Sequence, residues 1–165
     1  MRNTPDFRTT LSHFASGVAI IAACCDGAPV GLSVQSFASL SLEPQLISFG
    51  VSLSSRTWPR IERHGRFCAS ILAAGQEDLC RRFAISGADK FRDVGWAPST
   101  ATGSPVIAGA LAWVDCRVAA VHPAGDHCLV VAEVLDLAVS AQGEGPLLFF
   151  QGGFATVAGL PAESA

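Results

Sequence analysis

The stretch that most constrains the fold is Gly109–Ser140. It reads GALAWVDCRVAAVH, then PAGD, then HCLVVAEVLDLAVS: two long apolar-rich runs joined by four turn-forming residues. Apolar and polar side chains alternate from Trp113 to Val118, the two-residue period of a strand with one covered face. Pro123, Gly125 and Asp126 are turn residues, so the second run folds back on the first as its antiparallel partner. A chain built around such a hairpin is a sheet protein.

The rest of the chain agrees. GVAIIAACC, from Gly17, is a charge-free run rich in β-branched residues and reads as a buried strand. DGAP turns it into a second strand, VGLSV. LSLEPQLISFGVS reads as strands around Pro44, and FCASIL as a further strand. PLLFF and FATV close the chain as a broken strand pair. Helices are few and short. PDFRTTLSHFAS sets Phe7, Leu11 and Phe14 on one apolar face and is ended by Gly17. SSRTWPRIERHG has Ser55 or Thr57 as cap, Pro59 in the first turn and Gly65 as stop. GQEDLCRRFA puts Leu79 and Phe83 on one face. SGADKFRDVGWAPSTATGSP is read as a long polar loop anchored by Phe91 and Trp96. Strands joined by hairpins with few helices between them predict a closed antiparallel barrel with helical covers, not βαβ units. The 165 residues are expected to form one domain, with a core over about 7–157 and a tail over 158–165.

Composition narrows the function classes. Half the residues are hydrophobic and 15% are charged, which favours a homodimer that covers apolar surface. A net charge of −3 gives no reason to expect nucleic acid or an anionic membrane as partner. No apolar run reaches the ~20 residues of a membrane span. The polar start MRNTPDFRTTLSHF lacks a signal-peptide core, so a cytoplasmic protein is expected. The six cysteines contain no C-x-x-C and read as reduced, buried small hydrophobes. His122, His127 and Cys128 match no standard zinc spacing, and no metal is expected. A dinucleotide fingerprint is absent, Gly143-x-Gly145 being followed by PLL with no helix; a Walker loop and G-x-S-x-G are absent too.

Three stretches could carry chemistry. GLSVQSFASLSLEPQ gathers the hydroxyls of Ser33, Ser36, Ser39 and Ser41 with the amide of Gln35. It is either a plain loop or a cradle for a flat, polar ligand. Ser52, Ser54, Ser55, Arg56 and Thr57 precede a helix, which makes either an ordinary cap or a phosphate site of N–H groups, hydroxyls and a guanidinium. HPAGDH is either a hairpin turn alone or a turn that presents His127 at a barrel rim. ADKF, residues 88–91, is a surface lysine beside an aromatic and says little by itself.

In order and spacing, FASGVAIIAA, GLSVQSFASLSLEPQL, SSRTW, FCASIL, LCRRFA, ADKF, GALAWVDCRV and AGDH together resemble the flavin reductase family. Its members are the reductase components of two-component flavin-dependent monooxygenases. The resemblance implies a split antiparallel Greek-key β-barrel with a few short helices, and a homodimer with one flavin per subunit. It implies ring binding by Ser33, Val34, Gln35, Ser36, Ser39, Leu40 and Ser41, and phosphate binding by Ser52, Ser54, Ser55, Arg56 and Thr57. It places Phe83, Lys90 and Phe91 around the flavin tail, His127 by the reactive face where nicotinamide stacks, and Phe154 at the family's late aromatic. Gln35 stands where relatives carry Asn, and Pro44-Gln45 where they carry a Pro-Pro pair. The implied activity is NAD(P)H-dependent reduction of FMN or FAD, with NADH or NADPH as hydride donor and reduced flavin passed to a monooxygenase. The alternative is a non-catalytic flavin carrier or sensor on the same barrel. Hydride transfer between two such cofactors asks the protein mainly to hold and align them. Neutral hydrogen-bond donors suit a ring that must leave once reduced.

Overall fold

The structure, a computed structural model, describes residues 6–87, 89–140 and 145–157. The tail from Ala158, Gly143 of the glycine pair and Ala88 of ADKF lie outside the described residues. Twelve strands and three helices are present among those described. The main sheet has seven strands in the order β3-β2-β6-β9-β10-β5-β4. All of its neighbours pair antiparallel.

The hairpins follow from the local chemistry. β2 (Ala19–Cys25) and β3 (Ala28–Val34) are joined through Asp26 and Gly27, both at positive φ, the tight turn whose twist matches that of a strand pair. β9 (Ala112–Ala124) and β10 (His127–Val139) are joined through Gly125 and Asp126 and set His127 opposite Ala124. β4 (Ala38–Leu42) and β5 (Gln45–Ser52) turn at Glu43-Pro44. β6 (Arg66–Ile71) sits between β2 and β9.

The sheet curls until Ser36, just beyond β3, reaches β5. Its hydroxyl accepts from Gly50 N at 2.8 Å and lies 3.3 Å from Gly50 O, which closes the barrel without a strand ladder. Inside lie Ile21, Phe49, Phe67 and Val130, with Trp58 and Ile61 of α2 (Trp58–His64) plugging one end. Phe49 meets Trp58 and Phe67 edge to face, with centroids 5.6 and 5.4 Å apart. A second cluster lies outside the barrel wall: Val18, Ile20 and Ala22 pack under Cys80 and Phe83 of α3 (Glu77–Ala84), with Ile107 and Leu147. β2 is therefore covered on both faces, which is why its sequence is an unbroken apolar run.

Two expectations are corrected here. The polar stretch after α3 is not loop throughout: β7 (Trp96–Pro98) and β8 (Pro105–Ile107) pair as a small hairpin. The first helix, α1 (Phe7–Leu11), stops well before Gly17. Ser12 Oγ donates to Thr9 O at 2.8 Å and His13 Nδ1 lies 2.9 Å from the same oxygen, so side chains take the carbonyl that a further turn would use. β1 (Ser16–Gly17), β11 (Leu148–Phe150) and β12 (Gly153–Ala155) form a separate three-stranded sheet, in the order β1-β11-β12.

Candidate functional site

At the barrel rim a cavity of about 630 Å³ opens between four pieces of chain. The end of β3 supplies Leu32–Ser36. The end of β5 and the loop after it supply Gly50–Ser52 and Ser54–Thr57. The hairpin end of β9 and β10 supplies Ala124 and His127–Leu129. Phe83, Ala84, Ser86 and Lys90 come from the end of α3 and beyond. The volume is that of a small-molecule site. Its walls are held in register: His127 pairs with Ser52, and Leu53 N donates to Asp126 O at 3.0 Å, tying the β5 loop to the hairpin turn.

The structure thus brings together Ser33, Val34, Gln35, Ser36, Ser52, Ser54, Ser55, Arg56, Thr57, Phe83, Lys90 and His127. Their hydrogen bonds separate them. Ser36 is engaged with Gly50. Ser52 and Ser54 share a hydroxyl contact at 2.8 Å, and Ser55 Oγ accepts from Trp58 N at 3.1 Å. The helix cap is therefore Ser55; Thr57, at the N-cap position, makes no side-chain cap bond. Gln35 and Arg56 are exposed and make no side-chain hydrogen bond among the described residues. α2 is only seven residues long, so hydroxyls and the Arg56 guanidinium, more than a helix dipole, give the loop its attraction for anions.

His127 is half exposed, and its Nδ1 lies 2.7 Å from Asp126 Oδ1. That bond holds the Asp126 carboxyl below its usual range and fixes the ring, leaving Nε2 as the nitrogen available to a ligand.

Lys90 differs from its expected place on the surface. It is 8% exposed, and Nζ donates to Gly31 O at 3.0 Å and Phe83 O at 2.9 Å, bolting α3 to β3. Burial pulls its pKa down. Phe91 packs edge to face on Phe83, with centroids 5.0 Å apart, and borders a neighbouring cavity instead of this one. Ser39, Leu40 and Ser41 lie on β4 outside the cavity, because the chain turns away after Phe37 to pair with the outer edge of β5. Phe154 also lies outside it, on β12, against Phe149 and beneath the Arg81 guanidinium.

Gly50 and Leu129 were not foreseen in the wall; they are register partners, and a Cβ at Gly50 would stand 3.4 Å from Ser36 Oγ. A glycine inside the apolar run LISFGVS was the available signal, since it marks a close approach. Gly31 marks another: a Cβ there would stand 2.7 Å from Phe83 Cε1.

The donor set fits a flavin. Neutral hydroxyls, an amide and backbone groups suit a polar ring, Arg56 and the serine loop suit a phosphate, and Lys90 brings a buried cation with no carboxylate paired to it among the described residues. No cluster of three or more metal-ligating side chains occurs among those residues.

A barrel rim that gathers neutral donors, an arginine-bearing serine loop and an exposed histidine suits a flat, polar, anionic cofactor, and comparison with known proteins places it among the split-barrel oxidoreductases. Residues 11–158 match the flavin reductase like domain, and the chain belongs to that family. It is 45% identical over 149 residues to the flavin-dependent monooxygenase reductase subunit HsaB of Mycobacterium tuberculosis, covering 90% of this chain and 79% of the relative. The structure of a nitrilotriacetate monooxygenase component B homolog from Mycobacterium thermoresistibile superposes with a TM-score of 0.89 at 41% identity, covering 96% of this chain and 90% of that one. The NADH:FAD oxidoreductase SgcE6 of Streptomyces globisporus, solved with NAD and FAD fragments, superposes at 0.85 with 31% identity, covering 92% and 90%.

Proposed function

We propose that the rim cavity is the seat at which this protein, an NAD(P)H:flavin oxidoreductase, reduces FMN or FAD for a partner monooxygenase. The observation that carries the site is the convergence of Ser33–Ser36, the Ser52–Thr57 loop and His127 on one cavity. A bound flavin supplies the electron acceptor, and a nicotinamide supplies the hydride. Ser33 and Gln35 hydrogen-bond the ring, and Val34 backs it. Arg56, Thr57 and the serine hydroxyls hold the phosphate. His127, oriented by Asp126, positions the nicotinamide at the open side of the cavity. Neutral donors bind without a fixed counter-charge on the ring, so the reduced product can leave.

The test is oxidation of NADH or NADPH by purified protein with added FMN or FAD, followed by nicotinamide absorbance. Turnover with at least one pair is expected. Flavin binding without turnover would return the protein to the carrier reading, and neither binding nor turnover would remove the site.

The same reading includes a homodimer. Leu129, Leu135, Leu137 and Val139 stand exposed along β10, with Leu40 and Leu42 on β4. Each costs roughly 25 cal/mol per Å² left in water. A monomer mass by light scattering would exclude the dimer. The reading also includes one domain over the whole chain, checked by a single calorimetric transition, and a cytoplasmic location. Six unpaired, mostly buried thiols suit a reducing compartment, and fractionation of expressing cells tests it. No helix among the described residues is long and apolar enough to cross a membrane.

A further inference from the structure

The chain has 11 lysines and arginines, and Arg56, Arg60, Arg63 and Arg66 all fall within residues 56–66. Glu62 is the single carboxylate among them, so this segment carries a net positive charge in a chain whose net charge is −3. All four arginines are exposed. None pairs with a carboxylate among the described residues, where the ion pairs are Arg92–Asp89, Arg117–Glu133 and His127–Asp126. Asp26, in the β2–β3 turn, acts on the Cys25 thiol together with Arg60 and Arg63, but it forms an ion pair with neither.

The four side chains form a row that starts at the rim cavity. Arg56 stands in the loop that walls the cavity. Arg60 and Arg63 follow on α2, three residues apart and so on one face of the helix. Arg66 opens β6, just past the Gly65 stop. The row ends at Arg117, which is opposite Arg66 in register and already engaged by Glu133. The helix dipole accounts for Arg63 in the last turn but not for the other three. Like charges so spaced repel one another, so the row gains the fold nothing. Arg63 and Arg66 do not line the cavity. At 1.5 Å per residue Arg63 lies roughly 9 Å along the helix from Thr57, well inside the Debye length of about 30 Å at 0.01 M salt.

We propose that this row of arginines is a track that steers phosphorylated flavin into the rim cavity, with Arg63 and Arg66 raising its association rate without contacting the bound molecule. The proposal rests on the flavin reading of that cavity. Elsewhere an acidic chain repels an anionic nucleotide; along the row the field is attractive and leads to the serine loop. Charges outside the contact surface act mainly on approach, and contacts in the site act mainly on escape. Steering therefore speeds uptake of oxidised flavin without delaying release of the reduced product. NADH carries phosphates too. Flavin is favoured because the row begins at the loop suited to the flavin phosphate, whereas His127 belongs to the β9–β10 hairpin.

The test is stopped-flow binding of FMN and of riboflavin, read by quenching of flavin fluorescence over a range of NaCl concentrations. The double variant Arg63→Gln, Arg66→Gln is expected to bind FMN about fivefold more slowly at about 0.01 M salt, the scale of two unit charges acting through water on a phosphate dianion. Its dissociation rate should stay within twofold of the parent, and its deficit should vanish near 1 M salt, where screening cuts the Debye length to about 3 Å. Riboflavin, which carries no phosphate, should associate equally with both proteins. Arg63→Lys with Arg66→Lys should restore the parent rate, since charge and not guanidinium geometry does the steering, and a matching thermal midpoint certifies each variant as folded. A loss that falls on dissociation would make these arginines contacts and overturn the proposal, as would an equal slowing of riboflavin or a deficit that persists in high salt. Unchanged FMN association with a lowered kcat/KM for NADH would assign the track to the nicotinamide dinucleotide and overturn the choice made here. Each of those results leaves the flavin site standing; failure of the parent to bind either flavin would strike the flavin reading itself, and the track with it.

Discussion

At the residue scale, two side chains of the rim make separable contributions. His127 is held by Asp126 through Nδ1 and stands at the first position of β10, off the serine loop. On the proposed reading its loss removes nicotinamide positioning and leaves the flavin contacts. His127→Ala is expected to raise the KM for NADH or slow reduction by about tenfold, order-of-magnitude for one positioning contact, with flavin affinity within twofold. Stopped-flow reduction combined with flavin titration measures both; equal kinetics in mutant and parent would deny the histidine any role. In the proposed site Arg56 is the phosphate contact. Arg56→Ala should weaken FMN by about tenfold, the scale of one charge-assisted hydrogen bond, and riboflavin hardly at all. A matching loss for riboflavin would show that Arg56 does not touch the phosphate. The positions of both residues could be read from the sequence, because turn chemistry is local. The burial of Lys90 could not: ADKF looks like a surface loop, and only the meeting of α3 with β3 gives its ammonium two carbonyls.

At the scale of elements, short-range pairings were legible and long-range cover was not. The β2–β3 and β9–β10 hairpins announce themselves by turn residues between apolar runs. The β5–β10 pairing, which builds half the rim, joins segments far apart in the chain and leaves no local mark. β7 and β8 are three residues each, too short to show a period. Asp115 illustrates the cost of that omission. Alternation along WVDCRV turns it away from the barrel core, opposite in sense to Cys116. It is nonetheless fully buried, because the loop between β7 and β8 folds over it. Its Oδ2 accepts from Ala101 N at 3.1 Å and Thr102 N at 2.9 Å, and the Thr102 hydroxyl donates to Oδ1. Asp115→Ala leaves these donors unpaired under cover and is expected to destabilise the fold by about 3 kcal/mol. Asp115 is not in the rim cavity, so flavin affinity at low temperature should be preserved. Chemical denaturation checks the first statement and titration the second; a loss below about 0.5 kcal/mol would mean that the loop finds other acceptors.

At the scale of the whole molecule, the thiols give the protein a distinctive response to alkali. The sequence predicts buried cysteines, and all six have raised pKa values, with desolvation as the leading cause. Cys68 is pushed from 9.0 to about 12, and Cys116, on the neighbouring strand β9, is pushed up as well. A native thiol that keeps its proton above the pH at which the unfolded thiol loses it contributes stability that is complete below pH 9. That contribution drains away as the pH climbs from there. Over the window from 9.0 to about 12, Cys68 alone corresponds to roughly 4 kcal/mol at 1.36 kcal/mol per unit. Lys90 acts in the opposite sense: its depressed pKa means that its buried charge is relieved as the pH approaches 10.5, but it is one group against six. The chain has no tyrosine to add a phenol titration. The urea midpoint is therefore expected to hold steady from pH 7 to 8.5 and fall steeply between pH 9 and 10.5. Cys68→Ala should start lower at neutral pH, having lost core packing, yet descend with a shallower slope. Parallel descent of mutant and parent would trace the alkaline loss to some other group.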